Sequence, residues 1–230
     1  MPTSALLPEL DSRLAEVRDR ISAALARAGR SAPVRVVAVT KTHSASVVDA
    51  AVEAGVPDVG ENKVQEALDK MAAVQSTPRW HLIGHLQRNK ARHALRFAMV
   101  HSVDSERLAT ALNEVAVAQG RTLDVLVQVN VSGEATKGGV TADALPALGE
   151  RLHALAGLSV RGVMTLAPWT DDARVLHEVF AAARACGEAL ERAGHPATER
   201  SMGMSNDYEI AVEEGATMVR LGSVLFGSRS

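Results

Sequence analysis

Lys41 is the residue whose position in this sequence most directly suggests chemistry. It follows residues 34–40 (VRVVAVT), mostly β-branched and uncharged, which predict a buried strand, and helix-forming sequence begins at about Ser44. Partial burial at a strand end disfavours the ammonium form, which leaves a neutral amine that can attack an aldehyde. The alternative is a lysine that extends its amine into solvent, and the stretch alone favours this alternative because most lysines are exposed.

Two other positions suggest anion binding. Ser205 lies at the start of a predicted helix, where free backbone N–H groups and the helix dipole favour a negative charge. Gly222 and Ser223 follow the last predicted strand, and glycine lets a ligand approach the backbone closely. Taken alone, Ser205 is better explained as an ordinary N-cap, and Arg220 could pair with a surface carboxylate instead of a ligand.

The elements that must position these residues alternate between strands and helices. The first predicted helix carries an apolar stripe: Leu10, Leu14, Val17, Ile21 and Leu25. Eight strands follow, at 34–39, 56–59, 80–83, within 97–103, and at 123–131, 158–164, 199–202 and 217–221. Seven helices separate them, ending at about 55 and then spanning about 63–74, 87–95, 104–119, 142–155, 173–193 and 206–214.

This order predicts an α/β fold, a single-domain (β/α)8 TIM barrel over residues 1–230. Because little sequence follows the eighth strand, we expect the N-terminal helix to complete the outer ring. An open doubly wound sheet is the alternative, but its glycine-rich fingerprint is missing from the sequence.

In such a barrel, the loops after the carboxyl ends of the strands form the active face. The polar and small residues at these positions are Lys41, Glu61, Asn62, Gly84, His85, Gln87, Asp104, Asn130, Ser132, Met164, Thr165, residues 201–206, Arg220, Gly222 and Ser223. The seventh and eighth loops form the usual phosphate pocket of this fold, which favours phosphate binding by Ser205, Gly222 and Ser223. His81 and His85 lack a third ligand at metal spacing, so no metal site is predicted.

Composition narrows the classes of function. The chain has 25 basic and 27 acidic residues and few aromatics, which argues against nucleic-acid binding. Cys186 is the single cysteine, so no disulfide framework is expected. The sequence shows neither a signal peptide nor a membrane span, and we expect a cytoplasmic protein. No exposed apolar stripe stands out, which favours a monomer.

Seven stretches together resemble the pyridoxal-phosphate homeostasis protein family, whose members have the barrel of the alanine racemase N-terminal domain without its second domain. They are VVAVTKTH, GENKVQEA, WHLIGHLQRNKAR, HSVDS, VLVQVNVSGEATKGGV, RGVMTLAP and SMGMSNDYEIAVEEGATMVRLGSVLFGSR. The resemblance implies that Lys41 carries pyridoxal 5'-phosphate (PLP) as a Schiff base and that Arg220 faces the pyridine nitrogen. The implied cofactor-binding set is Lys41, Asn62, Met164, Ser205, Arg220, Gly222 and Ser223.

The resemblance also implies a carrier of PLP and no catalytic residue. An arginine beside the pyridine nitrogen keeps that nitrogen unprotonated, which weakens the ring as an electron sink. The related racemase needs a tyrosine base from its second domain, whereas Tyr208, the one tyrosine here, lies on a predicted helix. We therefore expect a non-catalytic protein of PLP homeostasis that serves PLP-dependent apo-enzymes.

Two enzymatic alternatives stay open. One is a weak PLP-dependent amino-acid racemase, and the other is a barrel enzyme that forms a Schiff base between Lys41 and a phosphorylated sugar. The sequence also departs from the family pattern, because His43 and Ser44 stand where a second lysine and a proline are common. Lys137 matches a family lysine that could accept the aldehyde secondarily, or it is a solvated loop residue.

Overall fold

The computed structural model of the protein describes residues 3–133 and 138–227. Eight parallel strands form a closed barrel in sequence order, and β8 pairs with β1 to complete it. The strands are β1 (Arg35–Val39), β2 (Asp58–Glu61), β3 (Arg79–Leu82), β4 (Met99–Val103), β5 (Leu123–Gln128), β6 (Leu158–Met164), β7 (Glu199–Ser201) and β8 (Met218–Leu221). The predicted (β/α)8 barrel is confirmed.

Helices surround the barrel. They are α1 (Thr3–Arg27), α2 (Ala45–Glu53), α3 (Val64–Met71), α4 (Glu106–Ala118), α5 (Leu145–Leu152), α6 (Ala173–Arg192), α7 (Tyr208–Glu213) and α8 (Ser223–Phe226), with a 3-10 helix at Arg88–Arg96 after β3. None of the helices in the described part of the chain combines the length and apolar character needed to cross a membrane.

The N-terminal helix α1 completes the outer ring, as predicted. It packs against α2, α7 and α8. Its buried stripe consists of Leu10, Leu14, Val17, Ile21 and Ala24, and each large apolar side chain buried in this way contributes about 1.5–3 kcal/mol to folding. Arg27 Nε also donates to Glu213 Oε1 of α7 at 2.6 Å. The apolar stripe therefore determines where α1 packs.

The second strand differs from the prediction of residues 56–59. It begins at Asp58, because Pro57 has no N–H to donate to a parallel ladder. Gly60 and Glu61 consequently lie inside β2, and the Glu61 side chain is buried instead of lying in a loop.

The end of the chain also differs from the prediction. The helix predicted at 206–214 begins at Tyr208, and Asp207 takes the N-cap position, where its Oδ1 accepts the Met204 N–H at 2.5 Å. Ser205 therefore lies in the turn before α7, so the expected N-terminal position on that helix was wrong. The short helix α8 follows β8, where none was predicted, and begins at Ser223.

Candidate functional site

Lys41 stands at the corner of a tight turn that follows β1. The His43 N–H donates to the Thr40 carbonyl at 3.0 Å, which closes the turn around Lys41 and Thr42. Thr42 has φ +68°, and no other non-glycine residue in the described ranges has a positive φ. Such a conformation is disfavoured for a β-branched residue, so neighbouring contacts must hold it. Lys41 itself is partly buried.

A buried lysine supplies those contacts. Lys70 Nζ donates to the Thr40 carbonyl at 2.6 Å, to Glu61 Oε1 at 2.7 Å and to Glu66 Oε1 at 2.8 Å. Glu66 Oε1 also accepts the Thr42 N–H. Lys70 thus holds Thr40 directly and holds Thr42 through Glu66. These contacts fix the backbone on both sides of Lys41.

We call Lys70, Thr40, Glu61 and Glu66 the Lys70 cluster. Glu61 is its buried carboxylate. Its side chain is fully buried, and Oε1 accepts the Thr40 hydroxyl at 2.6 Å as well as Lys70. Burial raises the pKa of Glu61, while the hydrogen bonds from Lys70 and Thr40 oppose that shift. Its Oε2 has no hydrogen-bond partner among the described residues. Glu66 of α3 is part of the cluster too, because its Oε1 accepts Lys70 Nζ.

We expect Lys70→Met to destabilise the protein by about 3 kcal/mol, because it leaves the Glu61 carboxylate buried without a cation. The free energy of unfolding in urea measures the effect. Lys63→Met, at an exposed lysine that comes just before α3, is the control and should change stability by less than about 0.5 kcal/mol. Equal stability of the two variants would contradict the role given to Lys70.

The seventh and eighth loops meet at Ser205. Its Oγ lies 3.3 Å from the backbone nitrogens of both Gly222 and Val224, which donate to it. These distances exceed the usual N–H···O range, so both amides are weakly satisfied and can take a stronger acceptor. We call Ser205, Gly222 and Ser223 the phosphate cup, because converging amides and hydroxyls suit a phosphate oxygen. In this respect the residues present fit a phosphorylated cofactor.

Arg220 of β8 is buried inside the barrel, with 3% of its surface exposed. Its Nη1 donates to the Ser201 carbonyl at 2.6 Å and to Ser201 Oγ at 2.7 Å, and its Nη2 donates to the Thr165 carbonyl at 2.7 Å. Burial lowers the pKa of Arg220 to about 10, while Asp207 opposes the shift, so the guanidinium stays protonated at neutral pH. A fixed cation is therefore held across the carboxyl ends of β6, β7 and β8.

The remaining predicted site residues lie on the same face of the barrel. Asn62 directly follows β2, and Gly84 after β3 packs against it so closely that a Cβ there would lie 2.3 Å from the Asn62 carbonyl oxygen. Met164 is the last residue of β6, and its side chain belongs to an apolar cluster inside the barrel. Ser223 is exposed at the start of α8. The structure joins Ser205 directly to Gly222, while Lys41 and Asn62 follow the paired strands β1 and β2.

Three further groups that could take part in chemistry are a tyrosine, possible metal ligands and Lys137. Tyr208 is buried, and the guanidinium carbon of Arg20 lies 5.5 Å from its ring centroid, which places the tyrosine beneath α1 in the outer ring. Within residues 3–133 and 138–227, no group of three His, Cys, Asp or Glu side chains has an arrangement that could hold a metal ion. Lys137 lies outside the described residues.

Sequence reasoning missed His101, and it did not foresee that His81 and Ser201 join this residue inside the barrel. His81, His101 and Ser201 are fully or almost fully buried there, and they connect to Arg220. Their signal in the sequence is a polar residue in the middle of a short apolar strand, as in MVHSV of β4.

An all-parallel barrel with a lysine after β1, a phosphate cup after β7 and β8, and a buried arginine on β8 defines a class, the alanine racemase N-terminal type. The sequence profile of the alanine racemase N-terminal domain matches residues 13–230. Alanine racemase from Corynebacterium glutamicum shares the fold, with a TM-score of 0.75 at 17% identity over 97% of this chain and 62% of that one.

Within this class the chain belongs to the pyridoxal phosphate homeostasis protein family. It is 44% identical to the member from Pseudomonas aeruginosa over 94% of each chain. It is 40% identical to the Escherichia coli member over 96% of this chain and 97% of that one. The structure of PipY from Synechococcus elongatus with PLP bound has a TM-score of 0.83 and 38% identity, over 95% of this chain and all of that one.

Proposed function

We propose that this protein binds PLP covalently as a Schiff base at Lys41 and carries it, without turning over a substrate, as part of PLP homeostasis. The observation that carries the proposal is the Ser205 hydroxyl between two weakly satisfied amides, on the same barrel face as a positioned lysine and a buried arginine. Family membership and the PLP-bound structure of PipY support the choice of ligand.

Each residue has a separate task. PLP would supply an aldehyde, and the Lys41 amine would hold it through a C=N bond, with the aldehyde oxygen released as water. The Lys70 cluster holds the turn that presents the Lys41 amine. The phosphate cup binds the phosphate oxygens through backbone amides and hydroxyls. Arg220 offers N–H donors to the pyridine nitrogen and, because it stays protonated, leaves that nitrogen without a proton of its own.

The same residues argue against efficient turnover. Amino-acid racemisation needs a proton donor and acceptor on each face of the substrate, and the Tyr208 hydroxyl lies under α1 instead of at the barrel face. A ring whose nitrogen is unprotonated also stabilises a carbanion less well. Asn62 and Met164 are proposed as further contacts of the bound cofactor.

The test combines binding and exchange. Adding PLP to the purified protein should produce the visible absorbance of a protonated Schiff base, and PLP-loaded protein in D2O should leave the α-hydrogens of a panel of amino acids unexchanged over hours. Exchange is read by NMR, with free PLP as the background control. Rapid stereospecific exchange would favour the weak racemase instead. A lack of PLP binding would overturn the proposal.

Three parts of the proposal concern the whole protein. We propose that residues 1–230 form one PLP-binding domain, that the protein is monomeric, and that it passes PLP to apo-enzymes. Light scattering of the loaded protein should give the mass of one chain. A desalted, PLP-loaded sample should restore activity to a PLP-dependent apo-enzyme.

A further inference from the structure

Buried polar side chains cross the interior of the barrel as one hydrogen-bonded chain. His81 Nε2 lies 2.8 Å from Asp58 Oδ1, and His81 Nδ1 lies 2.9 Å from His101 Nε2. His101 Nδ1 lies 2.9 Å from Ser201 Oγ, which accepts Arg220 Nη1 at 2.7 Å. We call Asp58, His81, His101 and Ser201 the relay; none of the four is more than 3% exposed.

The far end of the relay has a fixed acceptor. Burial alone would raise the pKa of Asp58, but hydrogen bonds from His81 and Arg79 lower it well below the usual range, so the carboxylate is ionised. Arg79 Nε donates to Asp58 Oδ1 at 2.9 Å, so the Arg79 guanidinium lies next to the Asp58 carboxylate and balances its negative charge. Asp58 and Arg79 also line a cavity of about 350 Å³ between α1 and the amino-terminal ends of β1 and β2. The relay thus runs from the opposite face of the barrel.

This acceptor sets the direction of every bond. The ionised Asp58 must accept, so His81 carries its proton on Nε2 and, when neutral, presents Nδ1 as an acceptor. His101 then donates from Nε2, and its Nδ1 accepts the Ser201 hydroxyl. Burial is the main cause that lowers the pKa of His101 well below its usual value, which keeps this imidazole neutral.

The direction of the relay's hydrogen bonds affects how firmly Ser201 holds Arg220. Because the Ser201 hydroxyl donates its hydrogen bond to His101 Nδ1, the lone pairs of Ser201 Oγ can accept Arg220 Nη1. Aligned hydrogen bonds polarise one another in a low-dielectric interior, so the Asp58 charge strengthens each acceptor along the chain, the last of which is Ser201 Oγ. Without the relay, the Ser201 hydroxyl could turn its proton toward the guanidinium, which would release one of its anchors.

We propose that Asp58, His81, His101 and Ser201 are positioning residues that orient the Arg220 guanidinium toward the cofactor's pyridine nitrogen from across the barrel. The link to the cofactor rests on the proposed function, whereas the direction of the relay does not.

The direction is tested on cofactor-free protein. With 15N-labelled histidine at pH 8, two-bond 1H–15N spectra should show His81 and His101 both as Nε2–H tautomers, assigned with single-histidine variants. Ser201→Ala should move the His101 Nδ1 resonance, because that nitrogen loses its donor. An Nδ1–H tautomer at either histidine, or an unmoved resonance in Ser201→Ala, would overturn the directional relay.

The effect on Arg220 is tested with PLP labelled with 15N in the ring. In Asp58→Asn and Ser201→Ala, the Kd for PLP should rise about threefold to tenfold, since each loses one buried hydrogen-bond link. The pyridine 15N resonance should move as well. Val125→Ala, which removes a buried side chain that makes none of the relay's hydrogen bonds, is the control and should leave Kd within about twofold and the resonance in place.

The outcomes separate the two proposals. If the wild type does not bind PLP, the proposed function fails, and the tautomers still decide the relay. If the wild type binds PLP but the relay variants behave like Val125→Ala, the positioning role is wrong and the proposed function stands. Ser201→Ala removes a single oxygen atom, so it keeps the test available if Asp58→Asn does not fold.

Discussion

Lys41→Ala is expected to abolish the visible absorbance that PLP produces with the wild-type protein, while the barrel stays folded. The residue lies in the turn after β1 and is only partly buried, so we expect its loss to remove the amine and to change stability little. Non-covalent PLP held by the phosphate cup should remain detectable at higher concentrations. Absorbance spectra, equilibrium dialysis and the unfolding midpoint measure the three effects.

Lys63→Ala is the matched control for this change. Lys63 is exposed just before α3, on the neighbouring loop, and its loss should leave the absorbance intact. Full absorbance in Lys41→Ala would instead mean that another lysine, such as Lys137, holds the cofactor.

The second large effect is expected from Ser205→Asp. The new carboxylate would accept the same Gly222 and Val224 amides and would repel the phosphate at contact distance, so we expect PLP affinity to fall at least about 100-fold. Titration of the absorbance with PLP measures the change. The effect should be smaller with pyridoxal, which has no phosphate.

Asn206→Asp is the control for added charge, because Asn206 is the exposed next residue and the substitution is isosteric. Its effect should stay below about threefold, given solvent screening. Arg220→Ala should weaken binding less than Ser205→Asp, since the phosphate makes several charge-assisted hydrogen bonds. The reverse order would show that the ring contact dominates over the phosphate cup.

The fold could be predicted because periodicity and turn chemistry agree along the chain. The apolar stripe of α1 and the run LSVRGVM of β6 each mark one element, and both were located correctly. Errors occurred where one residue decides a boundary. Pro57 delays the start of β2, and Asp207 replaces Ser205 as the N-cap of α7. Such boundaries depend on single hydrogen bonds, which periodicity does not report.

Only part of the site could be predicted from the sequence. Strand-end positions can be counted, so Lys41, Arg220 and Gly222 could be assigned to one face of the barrel. The Lys70 cluster and the relay could not be predicted, because their members come from distant parts of the chain and meet only when the barrel closes. Lys70 looks like an exposed helix lysine until β2 places Glu61 beside it at 2.7 Å.

The position of the cofactor bond is the central claim, and one measurement tests it most directly. Wild-type protein loaded with PLP is reduced with borohydride, digested and analysed by mass spectrometry. We predict a single major adduct, of the mass of reduced PLP, on the peptide that contains Lys41. An adduct on a different lysine, or an adduct of different mass on Lys41, would contradict the account.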